Sequence, residues 1–352
     1  MKKVLSSLLL TSATMMMFGQ VILNENFNAL TTGNLGTNVA GTAAGQNGWL
    51  TLGGANADYQ VTTIDAPHGK SLQIAGYNSF NATDTALNGR IAAQLSTVTA
   101  ATGNNIVQVK FELYTGNSAG AGTAQMRVWG MDGTTSRTIG GYVYNYATKT
   151  LTGLATANNL VPPSPPTTTT PLGPVTYTFN LAAAPGVVLA ANTWYTLIYE
   201  YNATTGVSTW RHPAGAGSTS STSTSYSLIT GMTAEDIYFY NNSSATNTVS
   251  NVIGVDNIMA QFGNAASLST ADVVNTVDVK GNLAIYPNPT SDILNVKASS
   301  KINAVSVVDM SGRSIKVNVD GDKVDVSALP VGTYLINVET KDGISTEKFI
   351  KK

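Results

Sequence analysis

Ile106-Val107-Gln108-Val109-Lys110-Phe111-Glu112-Leu113-Tyr114 alternates apolar and polar residues almost without a break. Val107, Val109, Phe111 and Leu113 fall on one face of a strand and Gln108, Lys110, Glu112 and Tyr114 on the other, because successive side chains of an extended chain point to opposite sides. One face suits a core and one suits water, the arrangement of an antiparallel sheet packed against a second sheet. Working outward, strand-like runs recur at 71–75, 124–131, 138–146, 175–181, 194–201, 237–240 and 255–262. Turn clusters separate them, among them Thr115 to Gly122 and Asp132-Gly133, where Gly, Asn, Asp and Ser supply the conformations a chain reversal needs. The body, residues 21–263, therefore reads as all-β.

Two stretches interrupt that pattern. Residues 161–174 hold six prolines and a run of threonines; proline donates no ladder hydrogen bond and favours extended geometry, so this is an exposed loop inserted between strands. Ser218 to Ser227 is rich in Ser and Thr and reads as a second loop. The domain boundary falls at 264–280, small, polar and Val residues between two strand-rich regions.

Only 11% of the 352 residues are charged, against about 25% in ordinary domains, so the surface is built from hydroxyls, amides and backbone. The chain begins Met1-Lys2-Lys3, continues through the apolar Val4 to Leu10 and Ala13 to Phe18, and reaches the small Gly19. That is the plan of a secretory signal peptide over residues 1–19, too short for a transmembrane helix. No other stretch approaches the length of a membrane span, and a mature chain without a transmembrane helix is expected. Without Lys2 and Lys3, 17 basic residues face 20 acidic ones, which excludes a nucleic acid partner held by its phosphates. With no cysteine, an exported fold must rest on its core rather than on disulfides.

The C-terminal residues 281–352 carry a series of separate signals. Tyr286-Pro287-Asn288-Pro289 imposes a rigid, non-helical start, since each Pro fixes its own φ and restricts the residue before it. Ser311-Gly312 and Asp320-Gly321 supply turns between β-rich runs. Gly332-Thr333-Tyr334 opens an alternating strand with Tyr334, Ile336 and Val338 on one face, and the chain ends Lys348-Phe349-Ile350-Lys351-Lys352. In this order, these pieces resemble the type A C-terminal sorting domain of the bacterial type IX secretion system. The resemblance implies a small β-sandwich recognised by the type IX machinery after passage through the periplasm, then removed by a sortase-like surface protease. It assigns the sorting signal to Pro287, Pro289, Gly332, Tyr334, Lys348, Lys351 and Lys352, and places the protein outside the cell or on the outer-membrane surface. A substitution such as Gly332→Val is expected to block a conformation or close approach that only Gly tolerates.

Within the body, Asn192-Thr193-Trp194-Tyr195-Thr196-Leu197-Ile198-Tyr199 with the turn Thr205-Gly206, and Gly254-Val255-Asp256-Asn257-Ile258, resemble strands of concanavalin-like and laminin-G-like jelly rolls. The resemblance implies a jelly-roll β-sandwich and a structural calcium between first and last strands. Glu25 and Asp256 occupy those places, with Asn26, Asn257 and backbone carbonyls able to complete the oxygen shell that calcium takes. No other cofactor is implied. Asp84-Thr85-Ala86 is similar to the periplasmic O-glycosylation pattern of bacteria with this secretion system, which marks Thr85.

Catalytic chemistry finds little support. His68 and His212 both flank turn residues and read as surface loop histidines, and no G-x-S-x-G, H-E-x-x-H or thiol is present. Glu112 and Glu200 are the best carboxylate pair for glycoside hydrolysis, which needs about 5 to 10 Å between them. Binding is better served: Tyr142, Tyr144 and Tyr146 alternate along one strand and Arg127 and Trp129 along another, and aromatic faces beside guanidinium suit sugar rings. The sequence thus predicts a secreted or surface protein, non-enzymatic, that binds glycans or mediates adhesion. The alternatives are a polysaccharide-degrading hydrolase or lyase on the same fold and a structural matrix protein.

Overall fold

The stretch Ile106–Tyr114 becomes the centre of a sheet, hydrogen-bonded to Trp194–Asn202 on one side and Val252–Gly263 on the other. A computed structural model describes residues 19–160, 173–213, 215–265, 268, 284–297, 301–309, 314–340 and 343–352. The leader up to residue 18, most of the proline-rich loop, nearly all of 264–280 and the Ser311-Gly312 turn lie outside the described residues. The chain divides into two compact units, Met1–Leu268 and Ser269–Lys352.

In the first unit, two antiparallel sheets of nine described strands each face one another. The first runs in the order Gly215–Thr219, Ser208–His212, Trp194–Asn202, Ile106–Tyr114, Val252–Gly263, Lys70–Ala75, Tyr59–Thr63, Gly33–Asn34, with Gln20–Glu25 also pairing to Val252–Gly263. The second runs Pro174–Asn180, Thr150–Asn159, Thr135–Asn145, Gly122–Asp132, Thr233–Ser243, Gly89–Gln94, Leu50–Leu52, and two short strands, Val187–Val188 and Tyr226–Leu228, add to Thr150–Asn159. Neighbours far apart in sequence alternate with hairpins, and the unit is a jelly-roll β-sandwich. The Ser/Thr-rich stretch expected to be all loop instead contributes the ends of two strands, Gly215–Thr219, which pairs with Ser208–His212, and Tyr226–Leu228, which pairs with Thr150–Asn159.

Between the sheets the alternation is obeyed. Val107, Val109, Phe111 and Leu113 from the first sheet and Ala124, Met126, Val128 and Phe239 from the second are all buried in one cluster. Phe111 meets Phe239 edge-on with centroids 5.4 Å apart, a geometry that brings the positive edge of one ring to the negative face of the other.

The second unit pairs Ala284–Tyr286, Ile293–Lys297, Lys323–Asp325 and Asn318–Asp320 in one sheet, and Ser314–Ile315, Ile302–Asp309, Gly332–Thr340 and Gly343–Lys351 in another. Its core gathers Leu294, Val296, Val307, Val324, Tyr334, Ile336, Val338 and Phe349, so the face shared by Tyr334, Ile336 and Val338 is the inner one. Gly321, at φ 61°, forms the expected turn of the Asn318–Asp320 and Lys323–Asp325 hairpin. The unit is a small β-sandwich.

Candidate functional site

The strand register separates residues that the sequence had grouped. Met126 stands directly opposite Tyr142 and Ala124 opposite Tyr144, while Arg127 faces Gly141. Residues directly opposite share a face, and the side-chain period is two. Tyr142 and Tyr144 therefore point inward with Met126 and Ala124, and Arg127 points outward. Tyr142, Tyr144 and Tyr146 are 1%, 0% and 1% exposed, so the expected tyrosine sugar platform is instead core. Their hydroxyls are satisfied inside: Tyr142 donates to the carbonyls of Ile198 and Arg211, both at 2.8 Å, Tyr144 bonds Ser118 at 2.8 Å, and Tyr146 donates to Asn241 at 2.7 Å. Tyr142 thereby ties one sheet to the other. Burial pushes its phenol well above the ordinary value.

Arg127 and Trp129 do lie together on the outer face of the second sheet, and different aromatics join them there. Tyr238 lies opposite Arg127 and Tyr240 opposite Gln125 on the neighbouring strand Thr233–Ser243, each half-buried. Trp129 packs on Tyr238 with centroids 5.7 Å apart, and Tyr238 stacks on Tyr240 at 6.0 Å. The Arg127 guanidinium sits over the Tyr240 ring, 5.0 Å from its centre, and the indole Nε1 of Trp129 donates to the Tyr240 hydroxyl at 3.1 Å. Irregular register on both neighbouring strands brackets Trp129; bulges of this kind re-aim side chains without breaking the sheet. Four ring and guanidinium planes are thus mounted on rigid strands, partly open to solvent. In sequence, Tyr238-Phe239-Tyr240 offers aromatics to both faces, and nothing local says which face is wet.

The outer face of the first sheet carries a different cluster. His68 stacks on Trp194 with centroids 4.1 Å apart; its Nδ1 lies 2.6 Å from Asp65 Oδ1 and its Nε2 lies 3.4 Å from Glu112 Oε2. Glu112 faces Asp256 across the strands and accepts from Asn257 Nδ2 at 2.6 Å. Asp256 is 0% exposed; burial is the main cause that raises its pKa to about 7, with the Glu112 charge adding to it. Gly254 makes room for this packing, since a Cβ there would lie 2.4 Å from Ile64 and 3.0 Å from Trp194. His68 is therefore no loose loop residue, and neither is His212, which is buried and whose pKa burial lowers. A histidine beside a turn can still be roofed by the loop it starts. Glu200 is held elsewhere by Gln108 at 2.7 Å and Arg211 at 3.3 Å. Glu200 lies opposite Gln108, four residues along the strand from Glu112, about 13 Å at the rise of a strand. The pair does not flank a common bond.

Glu25 and Asp256 are split as well. Glu25 lies opposite Ile258, which faces the core, and it accepts from the Phe27 amide and from Asn47 Nδ2, both at 2.7 Å. Asp256 points to the outer face with Glu112 and bonds Ser71 and the Asn257 amide. Among the described residues no three His, Asp or Glu side chains are grouped as a metal ion would require. Thr85 is exposed and opens a short 3-10 turn capped by Asp84.

In the C-terminal unit the segment after Pro287 and Pro289 docks on the last strand. Thr290 N donates to Ile350 O and Lys352 N to Thr290 O, both at 2.8 Å, and Ile350 N donates to Asn288 Oδ1 at 2.9 Å. Lys348 pairs with Leu335 and Lys351 with Gly332, and Lys351 is buried with its Nζ donating to Lys352 O. Tyr334 stacks on Phe349 at 5.5 Å and donates to Pro330 O at 2.8 Å. Gly332 is not conformationally special: its nearest contact to an added Cβ is the Tyr334 ring at 3.6 Å, an ordinary distance, and its φ is one that other residues adopt. The expectation that only Gly fits there is corrected.

The architecture defines a two-unit β-protein, a jelly roll followed by a small sandwich. Residues 284–352 match the secretion system C-terminal sorting domain, and that unit is a type IX sorting domain, so the protein is secreted or held at the cell surface. Comparison with curated protein sequences returns no match. Among solved structures the chain is similar to an alginate lyase from Aplysia kurodai, at 10% identity over 69% of this chain and 99% of that one with a TM-score of 0.42. It is also similar to a Bacillus licheniformis β-glucanase, at 10% identity over 71% and 100% with a TM-score of 0.37. A sialidase is similar at 8% identity over 68% of this chain with a TM-score of 0.38, and the chain spans 19% of that protein's length. Among the described residues no helix is long and apolar enough to cross a membrane.

Proposed function

We propose that the exported body is a glycan-binding module that holds its ligand on the outer face of the second sheet, at Trp129, Tyr238, Tyr240 and Arg127, and that it serves attachment at the cell surface. The observation that carries this reading is the half-exposed stack of Trp129, Tyr238 and Tyr240 on adjacent strands. Sugar rings present C–H faces that pack on aromatic planes and hydroxyls that pair with amide and guanidinium groups, and Gln125 and Arg127 supply the latter within the same patch. Strand-borne rings need little ordering on binding, which favours affinity. A glycan array probed with the purified protein tests this reading: retained ligand that Trp129→Ala weakens supports it, and an array without any bound glycan sinks it.

A second reading, a polysaccharide-degrading enzyme, is favoured by one feature, the Glu112, Asp256 and His68 cluster with the Asp256 pKa raised to about 7, since perturbed carboxylates gather at active sites. Against it, Asp256 has no exposed surface, so the cluster serves better as a structural lock on the loop that holds His68. Release of shortened oligosaccharide from bound polymer would favour the enzyme; neither binding nor release would leave a matrix role.

A further inference from the structure

Among the described residues Arg127 is the cation of the aromatic patch, and no described carboxylate balances its charge. Its Nε donates to Gln125 Oε1 at 2.8 Å and Nη1 lies 3.5 Å from Thr138 Oγ1, both neutral partners. No carboxylate pairs with it among the described residues, whereas Arg90, Arg137 and Arg211 each have one. The acid nearest in register, Asp236 opposite Trp129, is engaged by other partners: it accepts from the Ser96 amide at 3.2 Å and from the side chain of Tyr238, burial raises its pKa, and it forms no ion pair with Arg127 among the described residues. Nη2 donates to no protein acceptor among the described residues and is not sealed from solvent.

A half-buried guanidinium normally finds an anion, because desolvating a charge without a partner is unfavourable. Here burial already holds the Arg127 pKa below its ordinary value, with only the Tyr240 ring to offset it. The ring supplies only a weak cation–π contact at a partly open site. The missing anion is thus left to the ligand.

Resting on the glycan-binding reading above, we propose that the ligand is an acidic polysaccharide: a sugar ring packs on Trp129 and Tyr238 while its carboxylate or sulfate group accepts from the free edge of Arg127. A planar guanidinium suits both anions through paired N–H donors. Neutral glycans would leave Arg127 as it is in the free protein and gain only the stacking.

The test uses the purified protein on oligomers of several hexuronic acids, each beside its neutral methyl ester, and on sulfated oligomers beside their desulfated forms. Acid forms of at least one series should bind about ten- to a hundredfold tighter than the neutral forms, the range of one charge-assisted hydrogen bond, and added salt should narrow the gap. Arg127→Gln should level the pair while Trp129→Ala weakens both members, and Arg127→Lys should keep part of the preference. The esterified and sulfated arms tell the two anions apart. Equal binding of charged and neutral forms, or an unchanged preference in a folded Arg127→Gln protein, overturns the acidic assignment and leaves the aromatic platform standing. Absence of binding to every oligomer, or binding that Trp129→Ala does not alter, overturns the platform and the assignment together. Melting curves of the three variants confirm that each is folded.

Discussion

Tyr142 stands opposite Met126, one residue out of step with Arg127, and its hydroxyl reaches across the sandwich to the carbonyls of Ile198 and Arg211. That single register step decides which aromatics hold the two sheets together and which remain open to a ligand.

Tyr142→Phe should therefore destabilise the body without a ligand present. Removing the hydroxyl takes away the one buried O–H that the two carbonyls share, at a cost of about 1–3 kcal/mol. Tyr142→Ala should cost about 3–5 kcal/mol, as truncation of a buried aromatic does. Thermal or denaturant melts check the order; a Tyr142→Ala protein as stable as the parent would contradict the core assignment.

At Trp129 the ordering reverses. Trp129→Ala and Tyr238→Ala should each weaken glycan binding by about 0.5–1.5 kcal/mol beyond the area lost, while lowering stability less than Tyr142→Ala does. Titration calorimetry beside melting curves reads both effects in the same samples.

Asp256 gives a pH dependence with a definite sign. Its pKa rises from an ordinary 3.8 to about 7 in the fold, so the folded state binds the proton more tightly than the unfolded state. Its contribution is fully present below about pH 4 and is lost as pH rises to about 7. Asp256→Asn, which keeps an acceptor for Ser71 and the Asn257 amide, should gain in melting temperature relative to the parent as pH goes from 5 to 8. A difference that is flat or of opposite slope would show that Asp256 is ionised and well paired.

For export, removal of residues 281–352 should leave folded body in the periplasm of the producing bacterium, read by fractionation and immunoblotting. Gly332→Val should be exported and melt almost as the parent does, since a Cβ at Gly332 meets only the Tyr334 ring at 3.6 Å. Tyr334→Ala, in contrast, removes a buried ring stacked on Phe349 and should cost about 3–5 kcal/mol in the C-terminal unit. Surface arrival of the truncated protein in normal amounts would refute the sorting role.

Thr85 is exposed at the head of its turn, which suits modification by a periplasmic glycosyltransferase. Intact mass of the exported protein should show added hexose units that vanish in Thr85→Ala; an unmodified peptide spanning Thr85 would end the idea.

The sequence alone determined the all-β class, the inward face of Ile106–Tyr114 and the inner face of Tyr334, Ile336 and Val338, because a two-residue period is a local property of an extended chain. It also determined the sorting unit, whose signals lie close together along the chain. Everything that depends on which strand lies beside which was set by the folded chain. Tyr142 and Trp129 sit on neighbouring strands, and their faces are set by the pairing of Met126 with Tyr142. Tyr238 and Tyr240 reach Arg127 and Trp129 from more than a hundred residues away. Glu25 and Asp256 occupy paired first and last strands, as the sequence suggested, yet point to opposite faces of that sheet. Long-range register carries no local signature, because one residue of slip leaves every local preference intact while exchanging core for surface.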